Sequence, residues 1–353
     1  MKKILKVATL MIVLLMVGAF LFAGGKQEGE EETADVTEVP EGLEIAYFVS
    51  TLDNNYHQAD SGWAAKYAKE KYGAEVQVFD GKSNNNVMAE NCDEVLAYGY
   101  DMCSFFVWEG ETVEDTVREA IENGTVSNSF YQRCGNVDMP HVAISEKEAA
   151  FKMGEVAATK WMEWYPDKPI VYAVIGWMEN PVVQKERTEP FIEGVLSVAP
   201  DAEEAALLDA AAGTEKAYQV CQDLLQSHPE VNIIYSEANN LTLGVQPALE
   251  EAGRGKAVDG KCLTEILVST DAPANELEEI FDPSSSLKIT MGLTPKDNAI
   301  ARIENLVDIY LGEVPQDEFI VIETYDKEID YWNTTPEEAA EWFNEQYGGD
   351  VSF

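Results

Sequence analysis

The feature that most constrains this chain is a rhythm. From Leu43 onward, short apolar runs rich in β-branched and aromatic residues alternate with amphipathic stretches of helical length. Strands separated by helices of this length must pair in parallel, because a parallel partner is reached only by a crossover. The apolar runs are continuous rather than alternating, as expected of a sheet covered on both faces. The first half offers strands at Leu43–Val49, Glu75–Phe79, Met102–Trp108 and His141–Ile144, with helices at Gln58–Lys71, Asn86–Tyr98 and Thr112–Asn123. The second half repeats the pattern. Helices are read at Lys147–Trp164, Val182–Val198, Glu215–Gln226, Leu241–Glu251, Asn275–Ile280 and Lys296–Leu311. Strands are read at Ile170–Ile175, Val231–Tyr235, Ile266–Ser269 and Lys288–Met291, with a weaker one near Ala205–Leu208. The spacing predicts an α/β chain of two doubly wound parallel-sheet lobes. Thr335, Glu337 and Glu338 suit the capped start of a last helix, Pro336–Tyr347.

Upstream of this rhythm the chain changes character. Lys2, Lys3 and Lys6 precede a mostly apolar run from Leu5 to Phe22, and Leu21-Phe22-Ala23 before Gly24 offers small-residue cleavage chemistry. Residues 1–23 therefore read as a secretory leader, cleaved or retained as an anchor. No Cys lies at the cleavage region to carry a lipid, so a free protein of the periplasm or cell exterior is expected. Residues 24–41 are acidic and lack aromatics, and they read as a disordered tether. The remaining roughly 310 residues exceed one average domain, which again suggests two lobes.

Charge excludes whole classes of partner. The formal net charge is −41, and losing the three leader lysines lowers it by three to −44. Phosphate backbones and anionic lipid heads are bound by Lys and Arg, so nucleic acid is not an expected partner. Solubility in an extracytoplasmic medium accounts for such acidity. The five cysteines, Cys92, Cys103, Cys134, Cys221 and Cys262, are scattered and show no CxxC spacing. Buried thiols fit them as well as one bridged pair does, and they suggest no metal site. Enzyme signatures are missing too: there is no GxSxG, HExxH, Walker loop or GxGxxG after a strand, and no EF-hand acid series. No cofactor and no catalytic activity are expected.

Several segments, in order, resemble the type I periplasmic sugar-binding proteins, the ribose- and galactose-binding members among them. IAYFVSTLDNNYHQADSGWAAKYAKEKYGAEVQVFDG looks like that family's opening strand, polar loop, helix and second strand. IGWMENPVVQKERTEPFIEGV resembles its Gly-loop-helix segment with one ligand-facing Arg. IIYSEANNLTLGVQPALEEAG and ILVSTDA resemble the strands whose ends carry Asn and Asp. The crossover that often reads Asp-Asn is here Ser145-Glu146. The resemblance implies two discontinuous lobes, residues 42–145 plus 293–320 and residues 146–292 plus 321–353. The chain would cross between them near Ser145, Gly292 and Ile320. It further implies a monomer that closes around a small polar solute, a monosaccharide or polyol, and delivers it to an ABC permease. A sensory variant would present the closed form to a chemoreceptor or kinase, and nucleosides, amino acids or a furanosyl signal stay open as ligands.

In open α/β sheets the ligand sits beyond the carboxyl ends of the strands. The residues there are Asn54, Asn55 and Tyr56 after the first strand, Asp80 after the second, and Trp108 and Glu109 after the third. In the second half they are Trp177, Arg187 on the following helix, Asn239 and Asp271. Carboxylates and amides can fork adjacent hydroxyls, Arg donates to ring oxygens, and Tyr or Trp covers the C–H faces of a sugar. Each also has a plainer role. Arg187 can bridge Glu186 and Glu189, Asp80 and Asp271 can cap helices, Asn239 can shape a turn, and the aromatic residues can be core. His57, His141 and His228 are isolated, so each reads as a surface or satisfied histidine.

Overall fold

The computed structural model describes residues 39–210 and 213–353. The expected leader and residues 24–38 of the expected tether lie outside the described residues.

Two six-stranded sheets carry the chain. In the first, β1 (Glu44–Val49), β2 (Glu75–Asp80), β3 (Met102–Phe105), β4 (Val126–Phe130), β5 (His141–Ser145) and β13 (Val321–Tyr325) lie in the order β2-β1-β3-β4-β5-β13, all parallel. In the second, β6 (Val171–Gly176), β7 (Glu203–Asp209), β8 (Ile233–Ser236), β11 (Ile266–Asp271), β12 (Leu287–Gly292) and β14 (Lys327–Asp330) take the order β7-β6-β8-β11-β12-β14. The two orders are the same, apart from the antiparallel last strand of the second sheet. Each sheet reverses direction of growth at its second strand. That creates a switch point beside β1 and β3 in one lobe and beside β6 and β8 in the other. A small ribbon of β9 (Ala257–Val258) and β10 (Lys261–Cys262) stands apart.

Both sheets are covered on two faces by helices, and four apolar clusters fill the layers. In the first lobe, α1 (Asn55–Tyr72) and α9 (Pro295–Tyr310) pack on one face, while α2 (Asn85–Tyr98) and α3 (Glu114–Glu122) cover the other. In the second, α4 (Lys147–Trp164) and α5 (Glu189–Val198) lie against one face. The other takes α6 (Thr214–Ser227), α7 (Asn239–Glu251), α8 (Ala274–Ile280) and α10 (Pro336–Tyr347). Asn54 caps α1 by accepting from the Tyr56 amide, and Asn84 caps α2 through the Asn86 and Val87 amides. Gly73 ends α1 at φ +64°, a left-handed turn that glycine adopts without steric cost. The capping box at Thr335 and Glu338 forms as its sequence spacing predicts.

Three strands of the two sheets, β4, β13 and β14, were not read from the sequence, and neither was the β9–β10 ribbon. β4 reads VSNSF, too polar for a buried strand on periodicity alone, yet Ser127, Asn128 and Ser129 are fully buried. Most of their polar groups find partners: Asn128 donates to the Arg302 carbonyl and to Asn305 Oδ1, leaving its own Oδ1 without a donor, and Ser129 Oγ meets His141 Nδ1 at 2.9 Å. β13 is a half-exposed edge, paired from Val321 opposite His141 to Tyr325 opposite Ser145. The third passage between sheets therefore falls at Asp326, past the expected Ile320, and residues 321–325 join the first sheet. The other two passages lie at Glu146 and between Gly292 and Pro295. All five cysteines are buried and unbridged. Among the described residues no helix is long and apolar enough to cross a membrane.

Candidate functional site

The carboxyl ends of both sheets face one cavity of about 640 Å³. Its size falls inside the roughly 300–1,000 Å³ of small-molecule pockets. Eight of the ten residues read from the sequence line it: Asn54, Asn55, Tyr56, Trp108, Trp177, Arg187, Asn239 and Asp271. Asp80 and Glu109 do not. Asp80 accepts from the Leu52 and Lys82 amides, so its carboxylate ties the turn after β2 to the loop after β1. Glu109 is exposed, at the start of a short 3-10 turn, Gly110–Thr112, that leads the chain away toward α3.

The wall from the first lobe is aromatic. Phe106 and Phe130 are buried, Tyr131 stacks on Phe106 with centroids 5.9 Å apart, and Trp108 is half-buried beside them. His57 stands edge-on to both Tyr56 and Phe106. Burial holds its imidazole down to about 3, with Arg302 adding repulsion, so the ring is neutral. Tyr56 Oη accepts from Asn298 Nδ2 at 2.7 Å, which fixes the phenol from behind. Polar character on this side comes from Ser50, Thr51, Ser83, Asn54 and Asn55, with Asp53 exposed at the rim.

The opposite wall holds the charge. Arg187 lies in a π-helical turn, Gln184–Thr188, between a short helical start and α5. Such turns widen a helix by one residue and recur at functional sites. They re-aim the side chains that follow. Its guanidinium does not bridge Glu186 or Glu189. It donates Nε and Nη2 to the two oxygens of Glu146, at 2.8 and 2.5 Å, and Nη1 to the Glu237 carbonyl at 2.7 Å. Glu146 is 1% exposed and sits on the first passage between lobes, so the pair ties the hinge to the cavity floor. Glu237 accepts from the Trp177 amide at 2.9 Å and from the Thr188 hydroxyl. Its carboxylate tucks over Gly176, where any Cβ would collide with it.

Asp271 ends β11 with φ +100°, followed by Ala272 at +48°. Of six non-glycine residues with left-handed φ among the described ones, Ser83, Tyr131 and Asp271 line the cavity, and Lys82 and Ala272 adjoin two of them. Each such residue costs about 1–3 kcal/mol and persists where the surroundings hold it, which is typical of binding sites. Asp271 accepts from the Asn239 amide at 2.9 Å. Burial pushes its carboxyl up to about 6, against the pull of Arg187. The Asn239 side chain is turned to Glu276, which also accepts from Ser269 and Thr290. Glu276 is buried and pushed up to about 7. At the third passage, burial and then the charge of Glu146 raise Asp326 well above the usual carboxylate range.

Several lining residues were missed. Tyr131 follows the unrecognised strand β4; Glu146 had a signal, since an acid replaces the usual crossover pair; Glu237 precedes the Asn read as the ligand residue. Phe343 and Tyr347 come from α10, which reaches across to the first lobe: Trp63 Nε1 donates to the Gln346 carbonyl at 2.7 Å, and Lys296 pairs with Glu345. Nothing in the sequence links that helix to a cleft.

A family model described as a periplasmic binding protein domain matches residues 45–313. No curated protein sequence matches the chain. Among solved structures, the chain is similar to an ABC transporter periplasmic solute-binding protein from Actinobacillus succinogenes with bound D-allose. That match has 20% identity and a TM-score of 0.64, covering 85% of this chain and 100% of the other. A periplasmic ribose ABC transporter protein from Conexibacter woesei matches at 18% identity and a TM-score of 0.69, over 84% and 94% of the two chains. The myo-inositol binding protein of Caulobacter matches at 16% identity and 0.67, over 84% and 96%. At these identities the likeness is one of fold.

Proposed function

The chain belongs to the periplasmic binding protein family, and from that premise we propose that it captures a monosaccharide or polyol by closing its two lobes and delivers it to an ABC permease. The observation that carries this reading is the single cavity fed by both sheets at their switch points, with aromatic faces on one wall and hydrogen-bonding charges on the other. Ligand contacts made by both lobes favour the closed state over the open one, and that difference turns occupancy into a shape a transporter can recognise. Sugars suit the lining. Their C–H faces lie on rings such as Trp108 and Tyr131, and their hydroxyls reach Asp271 and the two Arg187 N–H groups not taken by Glu146 and Glu237. The reading extends to an exported monomer acting outside the cytoplasm, supported by the leader-like start of the sequence.

A thermal-shift panel of pentoses, hexoses, polyols, nucleosides and amino acids tests it. A true ligand at one hundred times its Kd adds about 2.7 kcal/mol of stability. Sugars or polyols are expected to raise the midpoint, and Arg187→Ala to abolish the rise; stabilisation by amino acids alone would overturn the assignment.

A further inference from the structure

The charge around the cavity is unbalanced. Among the described residues that line it, Glu146, Glu237, Asp271 and the rim's Asp53 are acidic, Arg187 is the one cation, and no lysine takes part. Behind the lining stand Glu276 and Asp326, whose burial favours the protonated, uncharged form, so the charge to be met is that of the lining itself. Arg187 is committed to Glu146 through two hydrogen bonds, so it neutralises that carboxylate and offsets Glu237 and Asp271 only through space. Glu237 is held by donors from Trp177 and Thr188, which satisfy its oxygens without cancelling charge. Asp271 has a single backbone donor, from Asn239, and faces the cavity with its remaining capacity. Its neighbours make matters worse. Glu146 opposes its ionisation, and Asp271 in turn raises Glu276 and Tyr347. His57, on the far wall, is neutral and supplies no compensation.

A neutral sugar filling this space would expel water and leave the negative field intact. A protonated amine would offset it. The same group is drawn to ring faces, and Trp177, Tyr347 and Tyr131 surround the space with them. We propose that the ligand of this cavity is a sugar or polyol carrying a protonated amino group, seated on Asp271 among the aromatic rings. This rests on the sugar-binding reading above and narrows it to one substrate class. An ammonium adds to its hydrogen bond a Coulomb attraction for the carboxylate that a hydroxyl lacks, which sets the expected preference over a hydroxyl twin at about tenfold or more.

Calorimetric titration of the full chain at neutral pH and low salt tests this with matched pairs, D-glucosamine against D-glucose and D-galactosamine against D-galactose. N-acetyl-D-glucosamine serves as the twin with its charge removed. The expected result is that at least one amine binds about tenfold or more tighter than both its hydroxyl and N-acetyl counterparts, with a preference that shrinks in salt. In Asp271→Asn the ratio of amine to hydroxyl affinities is expected to fall to about one. The N-acetyl comparison needs only the unaltered chain, so a variant that fails to fold does not shelter the proposal. Equal or tighter binding of the hydroxyl twin, or of ribose or myo-inositol with no amine bound, overturns the amine assignment and leaves sugar capture standing. Stabilisation by calcium chloride equal to that by the amines would also overturn it, by assigning the charge to an inorganic cation. Binding of none of these sugars, neutral or charged, removes the sugar reading itself.

Discussion

The two lobes share one strand order and each seals an ion pair away, Arg254 with Glu265 in the second, but they differ in the charge they bring to the cavity. The first buries its ion pair in the core: Arg302 and Asp60 meet at 2.9 Å with both side chains fully buried. The guanidinium also reaches the Ser104 hydroxyl and the Phe48 carbonyl, and its carbon lies 3.6 Å from the centroid of Tyr47, whose hydroxyl donates to Asp60. The wall this lobe presents to the cavity is therefore aromatic, with its polar groups mostly neutral. The second lobe, with the hinge, places Arg187, Glu146, Glu237 and Asp271 on the cavity itself. A charge sealed in a core and satisfied on every side holds parts together; a charge at a cleft, with capacity left over, is available to a ligand. The cost of desolvation is met in both lobes, and the second adds buried carboxylate capacity at the cleft, where the first contributes only the exposed Asp53 at the rim.

The sharpest way to break this contrast is to remove the sealed cation. Arg302→Met leaves Asp60 buried without its partner and is expected to cost about 3–5 kcal/mol of stability in urea unfolding. Ligand affinity should stay within about twofold at a temperature where the variant is folded. A loss below about 1 kcal/mol would show that the pair is not structural. Next in size is a pH effect in the second lobe. Glu276 is pushed up from 4.5 to about 7 by burial, so the folded chain prefers its protonated form. The stability this group confers is complete below about pH 4.5 and is lost as pH rises through about 7. Its amplitude is on the order of 3 kcal/mol. Glu276→Gln, neutral at every pH, should flatten the melting-temperature profile between those limits; parallel profiles for variant and parent would refute the assignment. The smallest effects compare two neighbours on the first lobe. Trp108→Ala should weaken ligand binding by about 0.5–1.5 kcal/mol through loss of a ring face. Glu109→Gln, one residue on but outside the lining, should change affinity and stability by less than about 0.5 kcal/mol. Reversal of that order would mean the first wall is not aromatic in function.

Much of the fold was legible because its signals are local. Continuous apolar strands such as Val171–Gly176 and Ile266–Asp271, Asn caps and a capping box act within a few residues of themselves. β4 escaped because its polar residues are buried on terms set by Arg302, Asn305 and Gln316, which are far away in the chain. The site divides along the same line. Residues at or just past the carboxyl ends of well-marked strands, such as Trp108, Trp177 and Asp271, were readable from position alone. Asp80 looked equivalent, yet its carboxylate closes a turn, a choice made by the Leu52 and Lys82 amides rather than by its own strand. Tyr347 reaches the cavity only because α10 docks across both lobes.

By itself the sequence determined the alternation of strands and helices, the parallel pairing that follows from it and the side of each sheet where recognition groups would gather. Those depend on periodicity and on the fixed direction of parallel strands. Tertiary structure alone decided that Arg187 pairs with Glu146 at the hinge and not with acids on its own helix, and that the second wall is left short of positive charge. Coulomb interactions between buried groups are set by distance and desolvation, and neither exists until segments remote in the chain have been packed against one another.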